Sequence, residues 1–184
     1  NQAANLTDAN FTGANLTGAF LSYATLTNAD FNGSRGIVTK VTDANFTNTI
    51  LKGAILDGID LSTLNPKHVN GKNGAKLDHS NASFVNAVLT NFSLNHANLT
   101  NADFRNAKMN ANTTFHYSDL TNSDFSTGND LSGLQAAEQI KGARIVGAKL
   151  LGTGITQQEI DDWNVLNAAN LADQIGGIPS SINP

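Results

Sequence analysis

Apolar residues recur along this chain with a spacing of five. From Leu6 to Leu61 an apolar side chain occupies every fifth position except at Gly36, and a small residue, usually alanine, lies two places before most of them. A helix face needs apolar residues about 3.6 positions apart and a strand face needs them about 2 apart, so neither element accounts for this row. The row can line one interior only if the chain turns after each short segment.

The pattern can be written as five-residue words. Residues 4–18 read Ala-Asn-Leu-Thr-Asp, Ala-Asn-Phe-Thr-Gly and Ala-Asn-Leu-Thr-Gly. These words resemble the pentapeptide-repeat family, whose pattern is roughly Ala-(Asp/Asn)-Leu-X-X, over about residues 3–155. The resemblance implies an all-β solenoid: a right-handed quadrilateral β-helix of about seven coils. In that fold four words make one square coil, and the central residue and the preceding small residue point inward.

The resemblance also implies which aromatic side chains stack. Residues twenty apart then lie on one face, separated by the strand spacing of about 4.8 Å. Phe11 is therefore expected under Phe31. A second core column is expected from Phe84, Phe104 and Phe125.

Several positions interrupt the period. Gly36 in a central slot predicts a gap in the core, at a cost of about 1 kcal/mol or more unless a neighbour fills it. Single extra residues near Asn112 and Gly128 predict bulges at corners of the coil. Residues 78–82 form a lesser irregularity, and residues 132–139 begin with a capping-box spacing that predicts a short helical insertion.

Residues 62–76 lose the period and contain one proline and two glycines, which predicts a loop protruding between two stacks. Lys67, His68, Lys72 and Lys76 make this loop basic. Because loops that leave a regular scaffold often carry binding residues, these four are the candidate contacts to a partner. The alternative interpretation is a tolerated surface insertion whose charges only solvate it.

The last segment, residues 156–184, changes character. Thr156-Gln-Gln-Glu has capping-box spacing and predicts a helix start. The predicted helix carries apolar residues at Ile160, Trp163, Leu166 and Leu171. An open coil end exposes unpaired backbone, so this helix and tail are expected to cap the solenoid of residues 1–155. The same residues could also contact a second copy, giving a homodimer through the C-terminal end rather than a monomer.

Composition narrows the classes of function. The 184 residues include 14% charged residues with a net charge of -4 and no cysteine, so neither a nucleic-acid footprint nor a disulfide or thiolate metal site is expected. The chain has no run of about 18 apolar residues, so no membrane span is predicted. Because the chain starts at Asn1 inside the repeat, we expect a missing upstream segment. The protein is expected to be soluble, either exported or lumenal if that segment is removed, and otherwise cytoplasmic.

No constellation of residues predicts catalysis, a cofactor or a metal. His96 and His116 are expected close together on one outer face, but without a nearby carboxylate they are interpreted as solvated surface residues. No serine lies in a nucleophile elbow. A filled, narrow solenoid leaves no room for a substrate pocket, so an enzyme is not expected.

The sequence favours a non-enzymatic structural or protein-interaction module with an unknown protein partner. One alternative, taken from the resemblance, is a DNA-mimicking protein that binds and protects gyrase. The position before the central residue is more often neutral than acidic, which argues against it. A second alternative is recognition of an ordered surface, such as ice or a crystalline glycan, by an outward row of hydroxyls at Thr7, Thr27 and Thr47.

Overall fold

The chain winds into a coil whose successive turns pair in parallel. The computed structural model describes residues 3–32, 38–64, 77–110, 112–126, 140, 142–150 and 158. Every β-bridge between these residues is parallel, and the first joins Asn5 to Thr25 in the next turn. Between those two, the bridged positions are Asn10, Asn15 and Phe20. Each turn therefore has four sides, and five residues separate one side from the next.

Continuous secondary structure is short in the part of the chain that the structure describes. It consists of a 3-10 helix, Leu61–Thr63, and two strands, β1 (Leu77–Asp78) and β2 (Ala97–Asn98). Strands β1 and β2 pair in parallel, with Leu77 opposite Ala97. Elsewhere each side of the coil has a single bridged residue, because a tight turn follows it at once.

Each side ends in a tight turn that begins at the central apolar residue. The amide of Ala9 donates to the carbonyl of Leu6 at 3.1 Å, and Ala14 repeats the bond with Phe11 at 2.8 Å. The third residue of the turn has positive φ, a conformation that Gly and Asn adopt at low cost. Thirteen non-glycine residues, most of them Asn, and six glycines have positive φ in the described chain. The period of five is thus one bridged segment plus one turn.

Stacked central side chains fill the interior. The rings of Phe11 and Phe31 stack with their centroids 4.8 Å apart. Phe104 stacks on Phe84 at 5.0 Å and on Phe125 at 4.7 Å. These distances match the spacing of adjacent strands, and the two stacks are the ones expected from the sequence. Phe104 is fully buried, whereas Phe11, in the first turn, is only partly buried.

The expected gap at Gly36 is wrong. Asn15 pairs with Lys40, 25 residues on, whereas the two preceding bridges span 20 residues. Val41 therefore lies next to Leu16, in the slot that the spacing assigned to Gly36. Gly36 itself lies outside the described residues. The core column is continuous across this turn because Val41 is buried.

The same shift of five residues overturns the expected row of hydroxyls. Thr7 and Thr27 are neighbours, because the amide after Thr7 donates to the carbonyl of Thr27 at 2.8 Å. The amide after Thr27 donates to the carbonyl of Lys52, also at 2.8 Å. Thr47 instead accepts from the amide of Tyr23 at 2.9 Å, which places it on another side of the coil.

One extra residue near Asn112 forms a bulge in the coil. The bridge from Ser93 to Thr114 spans 21 residues, one more than the bridge before it. The side chain of Asn91 holds the bulge, since its Oδ1 accepts from the side-chain amides of Asn110 and Asn112 at 3.1 and 2.9 Å. The extra residue is thus absorbed without loss of the inward register.

The other predicted interruptions fall mostly outside the described residues. Within the predicted loop 62–76, the 3-10 helix ends at Thr63 and is followed by Leu64, whose side chain is buried in the core. Residues 65–76 are not described, and neither are Gly128 and the predicted helical insertion 132–139.

Candidate functional site

The outer surface of each side is organised by a bond between the residues before and after the central position. The Oδ1 of Asn98 accepts from the amide of Thr100 at 3.2 Å and from its hydroxyl at 2.7 Å. The Asp119 carboxylate accepts the same two bonds from Thr121. The arrangement recurs at Asn5, Asn15 and Asp60. These short-range bonds explain the repeated Asn-X-Thr words, and they fix the outward side chains in place. The words are visible in the sequence, but the bonds were not predicted from it.

A second set of polar contacts connects the corners of successive turns. The side-chain amide of Asn101 donates to Oδ1 of Asn81 at 3.1 Å, and Asn28 donates to Asp8 at 3.0 Å. Both contacts join residues of positive φ. The corner asparagines therefore serve two purposes: they permit the turn and they link one turn to the next.

His96 stacks on Tyr117, not on His116. The centroids of the His96 and Tyr117 rings are 5.1 Å apart, and the rings are tilted by 17°. His116 instead lies opposite Asn95, whose side-chain oxygen accepts from its amide at 2.7 Å. The two histidines are nevertheless neighbours, as the sequence predicted, because the amide of His96 donates to the carbonyl of His116 at 2.8 Å. Among the residues that the structure describes, no three His, Cys, Asp or Glu side chains cluster to hold a metal ion.

Most of the Lys and Arg side chains on the described outer faces are paired with aspartate. Of the six Lys and Arg residues in the described ranges, four form ion pairs with aspartate. The pairs are Lys52–Asp78, Arg105–Asp103, Arg144–Asp119 and Lys149–Asp124. In the described part of the coil, rows of carboxylates are thus interrupted by cations.

The most perturbed of these carboxyl groups is Asp124. Partial burial acts to raise its pKa, but hydrogen bonds from Lys149 and Ser126 outweigh burial and lower the pKa to about 2. The Lys149 Nζ lies 2.8 Å from Oδ2 of Asp124. This pair lies on the outer face of the side on which Asp124 and Lys149 are bridged, beside the inward residues Phe125 and Leu150.

A histidine occupies one of the inward central positions. His79 follows strand β1 directly and takes the slot that Leu or Phe fills in most other turns. Its side chain is fully buried, and its Nδ1 accepts from the backbone amide of Leu51 at 3.2 Å. Burial lowers its pKa to about 4. The irregularity expected at residues 78–82 is absent towards the following turn, where β1 pairs regularly with β2. Towards the preceding turn it is present, since the amide of Leu51 donates to the ring of His79 and not to a backbone carbonyl.

Large apolar side chains are exposed at separate places. Phe20 is 90% exposed on the fourth side of the first turn, and Tyr23 is half-exposed at the corner beside it. Ile55, Tyr117 and Val146 lie on other sides or in later turns.

The residues predicted as partner and cap contacts lie outside the part of the chain that the structure describes. This holds for the loop residues Lys67, His68, Lys72 and Lys76 and for the helix residues Ile160, Trp163, Leu166 and Leu171. The described residues include no helix long and apolar enough to span a bilayer.

Comparison with known proteins identifies the family. The family model for pentapeptide repeats matches residues 2–35, 39–63 and 82–110 in eight copies. The chain belongs to the pentapeptide-repeat family. Its fold is accordingly the right-handed quadrilateral β-helix of that family. Among curated proteins, none matches this sequence.

Solved pentapeptide-repeat structures are similar to this chain at low sequence identity, and trypsin-treated QnrB1 shares its fold. A trypsin-treated variant of QnrB1, a plasmid-mediated fluoroquinolone resistance protein, is 16% identical with a TM-score of 0.55, covering 93% of this chain and 98% of its own. HetL, involved in heterocyst differentiation regulation in the cyanobacterium Nostoc sp. strain PCC 7120, is 22% identical with a TM-score of 0.39. That match covers 85% of this chain and 59% of HetL. A thylakoid-lumen pentapeptide repeat protein of Arabidopsis thaliana is 16% identical with a TM-score of 0.19, covering 100% and 84%.

Proposed function

We propose that this pentapeptide-repeat protein is a non-enzymatic interaction module that binds a protein partner. The observation that carries the proposal is that inward and outward positions have different roles. Central side chains fill the interior, while outward side chains such as Asn98 and Thr100 are held by their own hydrogen bonds. A surface whose polar groups are already ordered loses little conformational entropy on binding, so it suits recognition by a rigid face.

Within this function we assign partner contact to the predicted loop 62–76, through Lys67, His68, Lys72 and Lys76. The basis is its charge and its place between two regular parts of the coil. These four side chains suit a partner with an acidic surface.

We further propose that the solenoid has about seven coils and that residues 156–184 form its C-terminal helical cap. Along the first side, Asn5, Thr25 and Ile50 pair in sequence, and residues 78, 98, 119 and 144 continue the series. Gln158 is exposed and helical, which fits a helix in this region. Ile160, Trp163, Leu166 and Leu171 would cover the open end, or meet a second copy.

The partner proposal is tested by affinity capture with two sets of lysine variants. One carries Lys67→Gln, Lys72→Gln and Lys76→Gln, and the control carries Lys40→Gln and Lys108→Gln on the exposed third side. We expect the first set to lose at least tenfold in affinity for the captured partner and the control to retain it. Equal binding by both sets would move the contact site to the faces of the coil. Failure of the intact chain to capture any protein would reject the interaction function.

The alternative of gyrase protection is weakened by the charges of the described faces. DNA mimicry needs rows of carboxylates that match phosphates. Four of the nine aspartates in the described ranges are instead paired with Lys or Arg. A supercoiling assay with gyrase and a quinolone decides the matter, with QnrB1 as the positive control. We expect no protection at micromolar protein, and rescue of supercoiling would establish the alternative.

Recognition of an ordered surface by stacked hydroxyls is also disfavoured. The neighbour of Thr27 is Lys52, so the row expected from the sequence stops after two threonines. In addition, the hydroxyls of Thr7 and Thr17 donate to the preceding asparagines. A thermal-hysteresis measurement tests this alternative for ice, and we expect none.

A further inference from the structure

The first side of the coil contains a buried imidazole at the junction between two parts of the solenoid. His79 lies in the turn that follows residues 65–76, and Leu51 lies in the turn before them. The two turns are adjacent in space, since the bridge from Asp60 to Val88 spans 28 residues instead of 20. The core at this level is therefore closed by contacts between distant parts of the chain.

The ring of His79 replaces a backbone bond that the other turns make. In the preceding turn the amide of Leu26 donates to the carbonyl of Ile50 at 2.8 Å. At the next level the equivalent amide, of Leu51, donates to Nδ1 of His79 at 3.2 Å. Since Nδ1 accepts, the neutral ring carries its hydrogen on Nε2. Nε2 is buried and has no hydrogen-bond partner in the described structure.

This bonding leaves one lone pair at which an added proton can bind. It is the Nδ1 lone pair that accepts the amide of Leu51. Protonation there would set two N–H donors against each other and place a charged ring with an unpaired Nε2–H in an apolar core. Both changes oppose closure of this level of the coil.

Few charges lie close enough to compensate. In the same turn Asp78 faces outward, and in the turn before it Lys52 pairs with Asp78 at 3.8 Å. In the turn after, the neighbours are Asn98, Leu99 and Thr100, which carry no charge. Burial lowers the pKa of His79 and outweighs both groups of Asp78 that favour the charged ring, its backbone carbonyl and its carboxylate.

We propose that the level of His79 is an acid-sensitive break point of the solenoid. Protonation of Nδ1 releases the amide of Leu51, the imidazolium leaves the core, and the turn before residues 65–76 separates from the turn after them. Mild acid then opens the protein at its middle while the stacked Phe columns on either side persist. This property is independent of the proposed interaction function.

The sign and size of the effect follow from the histidine pKa. A neutral ring in the folded state stabilises fully above the ordinary pKa of 6.5, and this contribution is lost as the pH falls towards about 4. Across that interval the equilibrium constant for opening is expected to rise on the order of a hundredfold relative to a chain without the imidazole.

Hydrogen exchange of the whole chain, read by mass spectrometry between pH 7 and pH 4 and corrected for intrinsic rates, tests the proposal. The variant is His79→Leu, since Leu fills the neighbouring slots of this column, and the control is His96→Asn, since Asn is the usual corner residue. We expect wild type and His96→Asn to lose protection of the Leu51 and Gly53 amides in acid, and His79→Leu to keep it. Loss of protection of equal size in all three would overturn the proposal.

A second measurement does not depend on the variant folding. The ring protons of His79 are followed by NMR in the wild-type chain through the same titration. We expect the ring to titrate below pH 5, in step with loss of the Leu51 amide signal. Titration near pH 6.5 with that amide still protected would also overturn it.

Discussion

Truncation of Phe104 measures how much the aromatic columns stabilise the coil. The ring is fully buried and stacks on Phe84 at 5.0 Å and Phe125 at 4.7 Å, with an edge contact to Phe115 at 5.5 Å. Phe→Ala in a core costs about 3–5 kcal/mol through lost transfer and a residual cavity. The variant also loses two stacked ring pairs, each of which contributes about 0.5–1.5 kcal/mol. We therefore expect a destabilisation near the upper end of the range, about 5 kcal/mol.

Two further variants separate cavity from stacking. Phe104→Leu keeps most of the volume, and Leu56 fills the same slot two turns earlier, so we expect a loss of about 2 kcal/mol, chiefly from stacking. Phe20→Ala removes the same side chain from a site where it is 90% exposed. Its effect should stay within about 0.5 kcal/mol.

Urea unfolding followed by far-UV circular dichroism gives the free energies. Hydrogen exchange of residues 84–126 identifies where the loss falls, because a solenoid can open locally. If Phe20→Ala destabilised as much as Phe104→Ala, burial would not be the cause. If Phe104→Leu and Phe104→Ala were equal, the cavity would contribute nothing and the reasoning would fail.

Two smaller predictions concern a corner and an ion pair. Gly142→Ala should cost at least about 2 kcal/mol in thermal unfolding, because its Cβ would lie 2.5 Å from the ring of Tyr117. Gly18→Ala, at a similar φ of +69° but with nothing within 4 Å, should cost about 1 kcal/mol, and equal losses would contradict the clash. Lys149→Met should raise the pKa of Asp124 from about 2 towards its ordinary 3.8, because a hydrogen bond is lost. A lowered carboxyl pKa stabilises the folded state, and this contribution is lost as the pH falls from 3.8 to 2. Over that interval the free energy of unfolding, measured by urea titration, should therefore fall by about 1 kcal/mol less in the variant than in wild type. If the pH dependence of the free energy of unfolding were the same in both proteins, Lys149 would not be the cause of the lowered pKa of Asp124.

The sequence was sufficient for the coil and for its Phe columns, because every word repeats the same inward position. Twenty residues bring Phe11 to Phe31 regardless of what the outward residues are. The register after residue 32 could not be predicted in the same way. An addition of five residues is one whole word, so the period continues unchanged while the partner of Asn15 moves from residue 35 to Lys40. The errors at Gly36 and in the threonine row have this one cause.

The polar surface was less predictable than the core. Asn-X-Thr words were visible, but their cause, the bond from Thr100 to Asn98, depends on backbone geometry that the period does not specify. His79 could have been placed, since it lies five positions before Phe84. Residues 78–82 were instead expected to be irregular, and the pairing of β1 with β2 shows that His79 occupies the regular inward slot.

The local origin of the outer surface bears on how this protein achieves specificity. A bond between residues two apart, as from Thr121 to Asp119, forms in every side that has the right pair, whatever lies in the next turn. Such bonds make the faces rigid and also make them alike. A partner that recognises this chain among other pentapeptide-repeat proteins must therefore contact the residues that depart from the repeat pattern. In the described chain these include Phe20 on the first turn and the stacked rings of His96 and Tyr117 at a corner where asparagine is usual.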